Sequence, residues 1–288
     1  MNTCVFTCVF PSVEPYLDDF LLSLSKQTMQ EFRLVVVNDG YFNLRSVLKR
    51  YAFKKVTIIE GGSSPSLNRK KGIEECLAQN AEVIIFADSD DTFSENRFEL
   101  SCNVIESGNI DVVVNDINIC DSDQNIILGN YFSHRFYNRM DLEFDNIKLG
   151  NFFGLSNTAV RSTILKKFKI PTLDPFDWTF FSNLLLLNSR AVFLSEITTH
   201  YRQHDSNFVG MGGGFSIEKL MRALDVKVQH YKALTYLSDD IATLARDFYE
   251  LRKFLDTSQK IETYYSECII HQYKFPLWWE EAVLLGDI

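Results

Sequence analysis

Hydrophobic positions in the first half of the chain fall into short unbroken runs separated by amphipathic stretches. Cys4–Phe10 reads as a buried strand, and Tyr16, Leu17, Phe20, Leu21 and Leu24 follow at helical spacing. The same pattern predicts strands at Phe32–Val37, Lys55–Ile59, Val83–Ala87 and Asp111–Val114. Between them it predicts helices at Leu44–Tyr51, Ser66–Leu77 and Ser94–Ser107. Asn38-Asp39-Gly40 and Gly61-Gly62-Ser63-Ser64-Pro65 punctuate the series as a turn and a loop. Strands alternating with helices in this way predict an α/β fold, with a mainly parallel sheet flanked by helices on both faces.

After residue 115 the rhythm breaks. Asn115–Leu128 suggests a hairpin, while Tyr131–Leu149 mixes polar and aromatic residues without a clean period. Helices are expected at Val160–Phe168 and Trp178–Leu187, and a strand at Ala191–His200. From Phe215 onward the pattern is helical. Ile217, Leu220, Met221, Leu224, Val228 and Tyr231 mark one apolar stripe, and Ile241, Leu244, Ala245, Phe248, Leu251 and Leu255 a second. A third helix is expected over Gln259–Tyr273, and a short last one opening at Pro276. The chain therefore divides into an α/β domain over residues 1–210 and a helical extension over 211–288.

The densest chemistry lies directly behind one predicted strand. Val83–Ala87 is apolar and β-branched, as in strands buried on both faces, and Asp88-Ser89-Asp90-Asp91 follows at once. Three carboxylates packed together repel one another and cannot be desolvated without compensation. In open α/β sheets, ligands bind outside the carboxyl ends of the strands. Hard oxygen ligands there suit magnesium or manganese, completed by substrate phosphates. The competing reading is an acidic turn that caps a helix starting near Ser94, and the tetrad by itself leaves both open.

Composition removes some classes of function. The chain has 29 basic and 38 acidic residues, a formal charge of −9, which argues against a broad nucleic-acid footprint. No apolar run approaches the ~20 residues needed to span a bilayer and no signal peptide opens the chain, so a cytoplasmic location is expected. Cysteines 4, 8, 76, 102, 120 and 268 are scattered among predicted elements, which suits packing rather than disulfides or a Cys/His metal centre. Trp278-Trp279 could touch a membrane surface, but Glu280-Glu281 beside them and the lack of a basic face favour packing between copies of the chain.

Other candidates fall at equivalent strand ends. Asp39 ends the second strand, where a carboxylate can accept from a nucleobase imide or a ribose hydroxyl, as acidic residues do in other nucleotide sites. Taken alone it reads first as a turn former ahead of Gly40. Arg69-Lys70-Lys71 place three cations near a helix start, against the dipole. They mark either an anionic ligand or a solvated basic surface.

Taken together and in order, these residues resemble glycosyltransferase family 2, with its nucleotide-sugar-binding GT-A fold. Tyr16-Leu17 through Ser23-Leu24 and Gln27-Thr28 is similar to the family's first helix, and Val35–Gly40 to its second-strand turn. Asn68-Arg69-Lys70-Lys71-Gly72-Ile73 resembles its Ala-Arg-Asn-x-Gly-Ile helix start, and Phe86–Asp91 its metal-binding Asp-x-Asp. The resemblance covers residues 1 to about 210. Two departures touch the donor site: Val9-Phe10-Pro11-Ser12 replaces the usual Pro-x-Tyr-Asn, and Lys70 stands in place of Asn.

The resemblance implies an inverting transfer of sugar from a nucleoside-diphosphate donor, expected to be a UDP-sugar, to an acceptor hydroxyl. It implies roles in surface polysaccharide or glycoconjugate synthesis, with a saccharide or lipid-linked acceptor, in the cytoplasm or at the inner face of the membrane. Donor contacts are expected from Asp39, Arg69, Asp88 and Arg202. Asp90 and His204 are expected to hold a divalent metal, manganese or magnesium. Pro175-Phe176-Asp177-Trp178 resembles the family's acidic segment, with Phe176 where Glu is common, so Asp177 is the expected base; it is also a natural helix cap. His200–Ser206 resembles a Tyr-Arg-x-His segment closing over the diphosphate, and Gly212-Gly213-Gly214 would be its hinge. The rivals are a sugar nucleotidyltransferase, which would carry a Gly-rich basic loop absent from Val9–Tyr16, and a non-catalytic scaffold of the same fold. Asp88, Asp90, Asp177 and His204 together argue against the scaffold.

Overall fold

The computed structural model describes residues 1–62, 64–166, 169–204 and 215–286. Among these residues the strands form one ten-stranded sheet. In chain order the first elements are β1 (Thr3–Val9), α1 (Leu17–Ser25), β2 (Phe32–Asn38), α2 (Leu44–Leu48), β3 (Val56–Glu60), α3 (Pro65–Ala78) and β4 (Val83–Phe86). Then come β5 (Thr92–Phe93), α4 (Arg97–Glu106), β6 (Val112–Cys120), β7 (Ile126–Leu128), β8 (Met140–Leu142), β9 (Thr158–Arg161) and α5 (Ser162–Leu165). The remainder is α6 (Phe176–Leu186), β10 (Ala191–Arg202), α7 (Ile217–Leu234), α8 (Asp239–Phe254) and α9 (Ser258–Ile270).

The sheet order is β3-β2-β1-β4-β9-β6-β10-β5, with β7 paired to β6 and β8 to β10. The first four strands are mutually parallel, in the register Val9 opposite Asn38 and Phe6 opposite Phe86. That register brings the ends of β1, β2 and β4 to one edge. Alternation of side chains then divides the packing. Val5, Leu34, Val36 and Ile85 join a core with Phe20 and Leu24 of α1, Leu44 and Leu48 of α2, and Phe98 and Ile105 of α4. Phe6, one residue out of step with Val5, instead meets Gly72 of α3, where a Cβ would lie 1.9 Å from the Phe6 ring.

Several expectations are corrected. Val160 belongs to a strand, not a helix: β9 runs antiparallel between β4 and β6, and only Ser162–Leu165 is helical behind it. The sheet is therefore mixed at its centre. The expected hairpin exists, but β6 continues through Cys120 before turning to β7. The helix expected from Ser94 begins at Arg97, because Thr92–Phe93 pairs with β10 first. Among the described residues after Pro276 there is no helix, and Trp278 makes an isolated bridge with Asn151.

The chain forms two compact units. The first comprises residues 1–142, 153–172 and 188–208, and holds the sheet with α1–α5. The second is assembled from residues 143–152, 173–187 and 209–288, and holds α6–α9. Within it α7 packs on α6, α8 and α9. The buried stripe of α7 is Leu220, Ala223, Leu224, Lys227, His230, Tyr231 and Leu234, rotated from the predicted one. Ile217 is exposed, and two basic residues lie inside the stripe. On α8 the predicted stripe is the buried one at Ile241, Phe248 and Leu251.

Candidate functional site

The site is built on the edge where β1, β2 and β4 end. Asp39 follows β2: its N–H donates to Val9 O at 2.7 Å, and one carboxylate oxygen accepts from Gly62 N at 2.7 Å. Gly40 and Gly62 take φ of +88° and +85°, a region that favours glycine, so this clasp needs both of them. Ser64 caps α3, its hydroxyl accepting from Leu67 N, and Arg69 and Lys70 follow in the next turn. Lys70 pairs with Glu74 at 3.7 Å, and Lys71 donates to the carbonyls of Glu60 and Gly61.

Cys8, near the end of β1, reports what gathers there. Burial pushes its thiol up to about 12, opposed by the Arg69 charge and reinforced by Asp88 and Asp39. The charges of Arg69, Asp88 and Asp39 are thus all felt at the end of β1.

The acidic turn is fastened from several sides. Ala87 N donates to Phe6 O, Ser89 Oγ to Cys8 O at 2.7 Å, and Asp91 N to Asp88 O. Ser89 and Asp91 are buried, whereas Asp88 and Asp90 are half-buried. Asp91 Oδ1 accepts from Arg202 N at 2.8 Å. Burial raises the Asp91 carboxyl well above the usual carboxylate range, with the Asp90 charge adding to the effect and the nearby Ser156 hydroxyl opposing it. Behind the turn lies the wholly buried Arg97, which donates to Asn115 Oδ1 and Phe86 O, each at 2.8 Å. Burial lowers it to about 9, while Asp91 and Asp88 work the other way. The tetrad caps no helix: β5 and a turn separate it from α4, whose cap residue Asn96 makes no side-chain capping bond.

Arg202 and His204 reach this turn from the end of β10. His204 Nε2 lies 3.1 Å from Asp90 Oδ2, and its ring stacks on Tyr16 at 4.6 Å. Arg202, expected to offer its fork to phosphate, turns it onto the protein. Its side chain is 2% exposed. Nε donates to Asp90 O at 2.8 Å, Nη2 to Asp19 Oδ2 at 2.9 Å and Nη1 to Ser122 O, while the guanidinium lies over Tyr16. Tyr16, Asp19 and Ser89 hold the acidic turn and the end of β10 in place, and sequence reasoning gave none of them a role. Ser89, inside the tetrad itself, was the nearest signal.

Asp90 and His204 are the sole pair of expected metal ligands brought together; among the described residues no group of three or more His, Cys, Asp or Glu is placed to hold a metal ion. One hard carboxylate and one imidazole at this spacing suit a divalent ion completed by phosphate oxygens. Asp177 belongs to the second unit, where it is the second residue of α6. The glycine run 212–214, expected as a hinge, lies outside the described residues.

A mixed sheet with an acidic turn at its central edge, a basic helix beside it and a histidine facing the acid defines a GT-A-type transferase architecture. Residues 4–167 match the family model "Glycosyl transferase family 2", more than half of the chain. The chain belongs to glycosyl transferase family 2. A Haemophilus influenzae protein described as an uncharacterized glycosyltransferase is 21% identical over 206 residues, covering 70% of this chain and 76% of that one. Staphylococcus aureus TarS 1–349 in complex with UDP-GlcNAc superposes with a TM-score of 0.63 at 17% identity, over 90% of this chain and 74% of that one. The mannosyltransferase PcManGT of Pyrobaculum calidifontis, in complex with GDP-Man and Mn2+, gives 0.54 at 11% identity, over 95% and 81%. These solved structures share the fold. No helix among the described residues is long and apolar enough to cross a membrane.

Proposed function

We propose that this glycosyltransferase moves a sugar from a UDP-sugar to an acceptor hydroxyl, with inversion, in the synthesis of a surface polysaccharide or glycoconjugate. The observation that carries the reading is the Asp90–His204 pair, 3.1 Å apart, at the strand edge where Asp39 and Asp88 also lie, with Arg69 on the neighbouring helix α3. The complexes of TarS with UDP-GlcNAc and PcManGT with GDP-Man and Mn2+ support a nucleotide-sugar donor.

Asp39 accepts from the base, Asp88 from the ribose, and Arg69 faces the nucleotide. Asp90 and His204 would hold a divalent metal, which would supply positive charge to offset the charge that builds as the nucleoside diphosphate departs. Arg202 positions this pair instead of touching phosphate. Asp177 takes the proton from the acceptor hydroxyl while its oxygen bonds to the anomeric carbon and the bond from that carbon to the phosphate oxygen breaks. A saccharide or lipid-linked acceptor supplies the hydroxyl.

The test is UDP release from a panel of UDP-sugars with manganese, with and without chelator. Chelation and Asp90→Asn should each abolish turnover, while Asp177→Asn should keep donor binding and lose transfer. If no nucleoside diphosphate raises the melting temperature with metal present, the reading fails.

A further inference from the structure

We infer that Asn151 is a positioning residue for Asp177, and that the segment Leu277–Glu280 holds Asn151 in place. The inference rests on the assignment of Asp177 as the base.

Both oxygens of Asp177 are engaged inside the second unit. Oδ1 accepts from Trp178 N at 2.9 Å, and Oδ2 from Asn151 Nδ2 at 3.4 Å. The first contact is local and follows from the start of α6. The second comes from a residue far away in sequence and wholly buried. An amide donor on the carboxylate favours its charged form and fixes which oxygen faces outward. A general base needs both.

Asn151 cannot drift, because its backbone is clamped. Its N–H donates to Trp278 O at 2.8 Å, and Trp278 N donates back to Asn151 O at 2.9 Å. At Gly150 a Cβ would lie 2.8 Å from Glu280 Cβ and 3.1 Å from Leu277 Cβ, so this approach requires glycine. Glu280 closes the segment on itself by accepting from Leu277 N at 2.8 Å. The helices fasten both sides of the clamp. Lys227 of α7 donates to Ala282 O, Tyr264 of α9 to Val283 O, and Tyr231 of α7 to Lys148 O. The start of α6 is pinned independently: Trp178 Nε1 donates to Ile147 O at 2.8 Å, and its ring stacks on His230 at 3.9 Å. The helices α7 and α9 thereby acquire a role in catalysis without contributing a reacting group.

The deciding variant is Asn151→Asp, which keeps the shape and replaces a donor by a second carboxylate. It should lower kcat by about tenfold or more, leave the KM for donor unchanged, and move the acid limb of the kcat profile upward, because paired carboxylates cannot both ionise readily. Gly150→Ala, which displaces Leu277 and Glu280 without touching either partner, should lower kcat with the same sign of shift. The ionisable groups Lys148, Asp174, Lys227, His230 and Glu280 keep their identity in both variants, and only Gly150→Ala displaces one of them, so a shift shared by both variants reports the Asn151–Asp177 contact. Circular dichroism and the melting temperature of each variant without ligand establish that it is folded. A wild-type acid limb and kcat in folded Asn151→Asp, with Asp177→Asn inactive, overturns the inference. An active Asp177→Asn instead removes the base assignment on which it stands.

Discussion

Burying a guanidinium is costly unless its donors are used, and Arg202 uses them on three elements at once. Its partners differ in what they contribute. Asp19 is 52% exposed, so the solvent screens that ion pair, and Asp19→Asn should cost less than about 1 kcal/mol. The bonds to Asp90 O and Ser122 O are part-buried and made by a charged donor, and losing hydrogen bonds of that kind costs about 1.5–3 kcal/mol each. Arg202→Gln should therefore lower the melting temperature far more than Asp19→Asn in thermal denaturation. It should also weaken manganese-dependent stabilisation by UDP, since His204 follows two residues later. Were Arg202 a phosphate ligand only, the two variants would unfold alike and differ in donor affinity alone. Residues at this scale were only partly legible. Asp39, Asp88 and Asp90 stood out by charge at strand ends, and Arg69 by charge near a helix start. Asn151 sat just beyond an aperiodic stretch, in no predicted element, and its backbone partner lies more than a hundred residues away.

Each secondary element carries a requirement that a single substitution can expose. Helix α3 lies so near β1 that Gly72→Ala would drive a methyl into the Phe6 ring, where overpacking costs about 1–3 kcal/mol. Chemical denaturation should show that loss with an unchanged m-value. Donor affinity should fall with it, because the same helix carries Arg69. The elements of the first 110 residues were readable because parallel strands buried on both faces give unbroken apolar runs. Strand β9 was not, since Thr158-Ala159-Val160-Arg161 has neither alternation nor length. Its identity comes from the open hydrogen-bonding edges of β4 and β6, which a local pattern cannot register. Similarly, the α7 stripe was misplaced by the assumption that cations stay outside. Lys227 and His230 occupy core positions because their polar ends have buried partners, Ala282 O and Thr179 Oγ1.

For the molecule as a whole, His230 sets an acid limit. Burial, aided by the Lys227 charge, holds its imidazole well below the ordinary 6.5. The unfolded chain then binds a proton that the folded one refuses, so this stability is fully present above pH 6.5 and lost as pH falls below it. Melting temperatures should drop between pH 6.5 and 5, by up to about 1.4 kcal/mol of stability per pH unit, and His230→Gln should flatten that slope. The composite make-up of the second unit bears on truncation too. A fragment ending at residue 210 would leave Phe176, Trp178 and Phe180 of α6 without α7, and should aggregate or remain partly unfolded by circular dichroism. Because residues 143–152 and 173–187 are separated from 209–288 by strands of the other unit, no single crossover between two related genes can exchange the second unit intact. A hybrid joined near residue 210 would inherit its Trp278 from one parent and its Asn151 from the other. Well-folded hybrids should therefore arise from compatible pairs of substitutions on both sides of the junction, more readily than from swapping a terminal cassette.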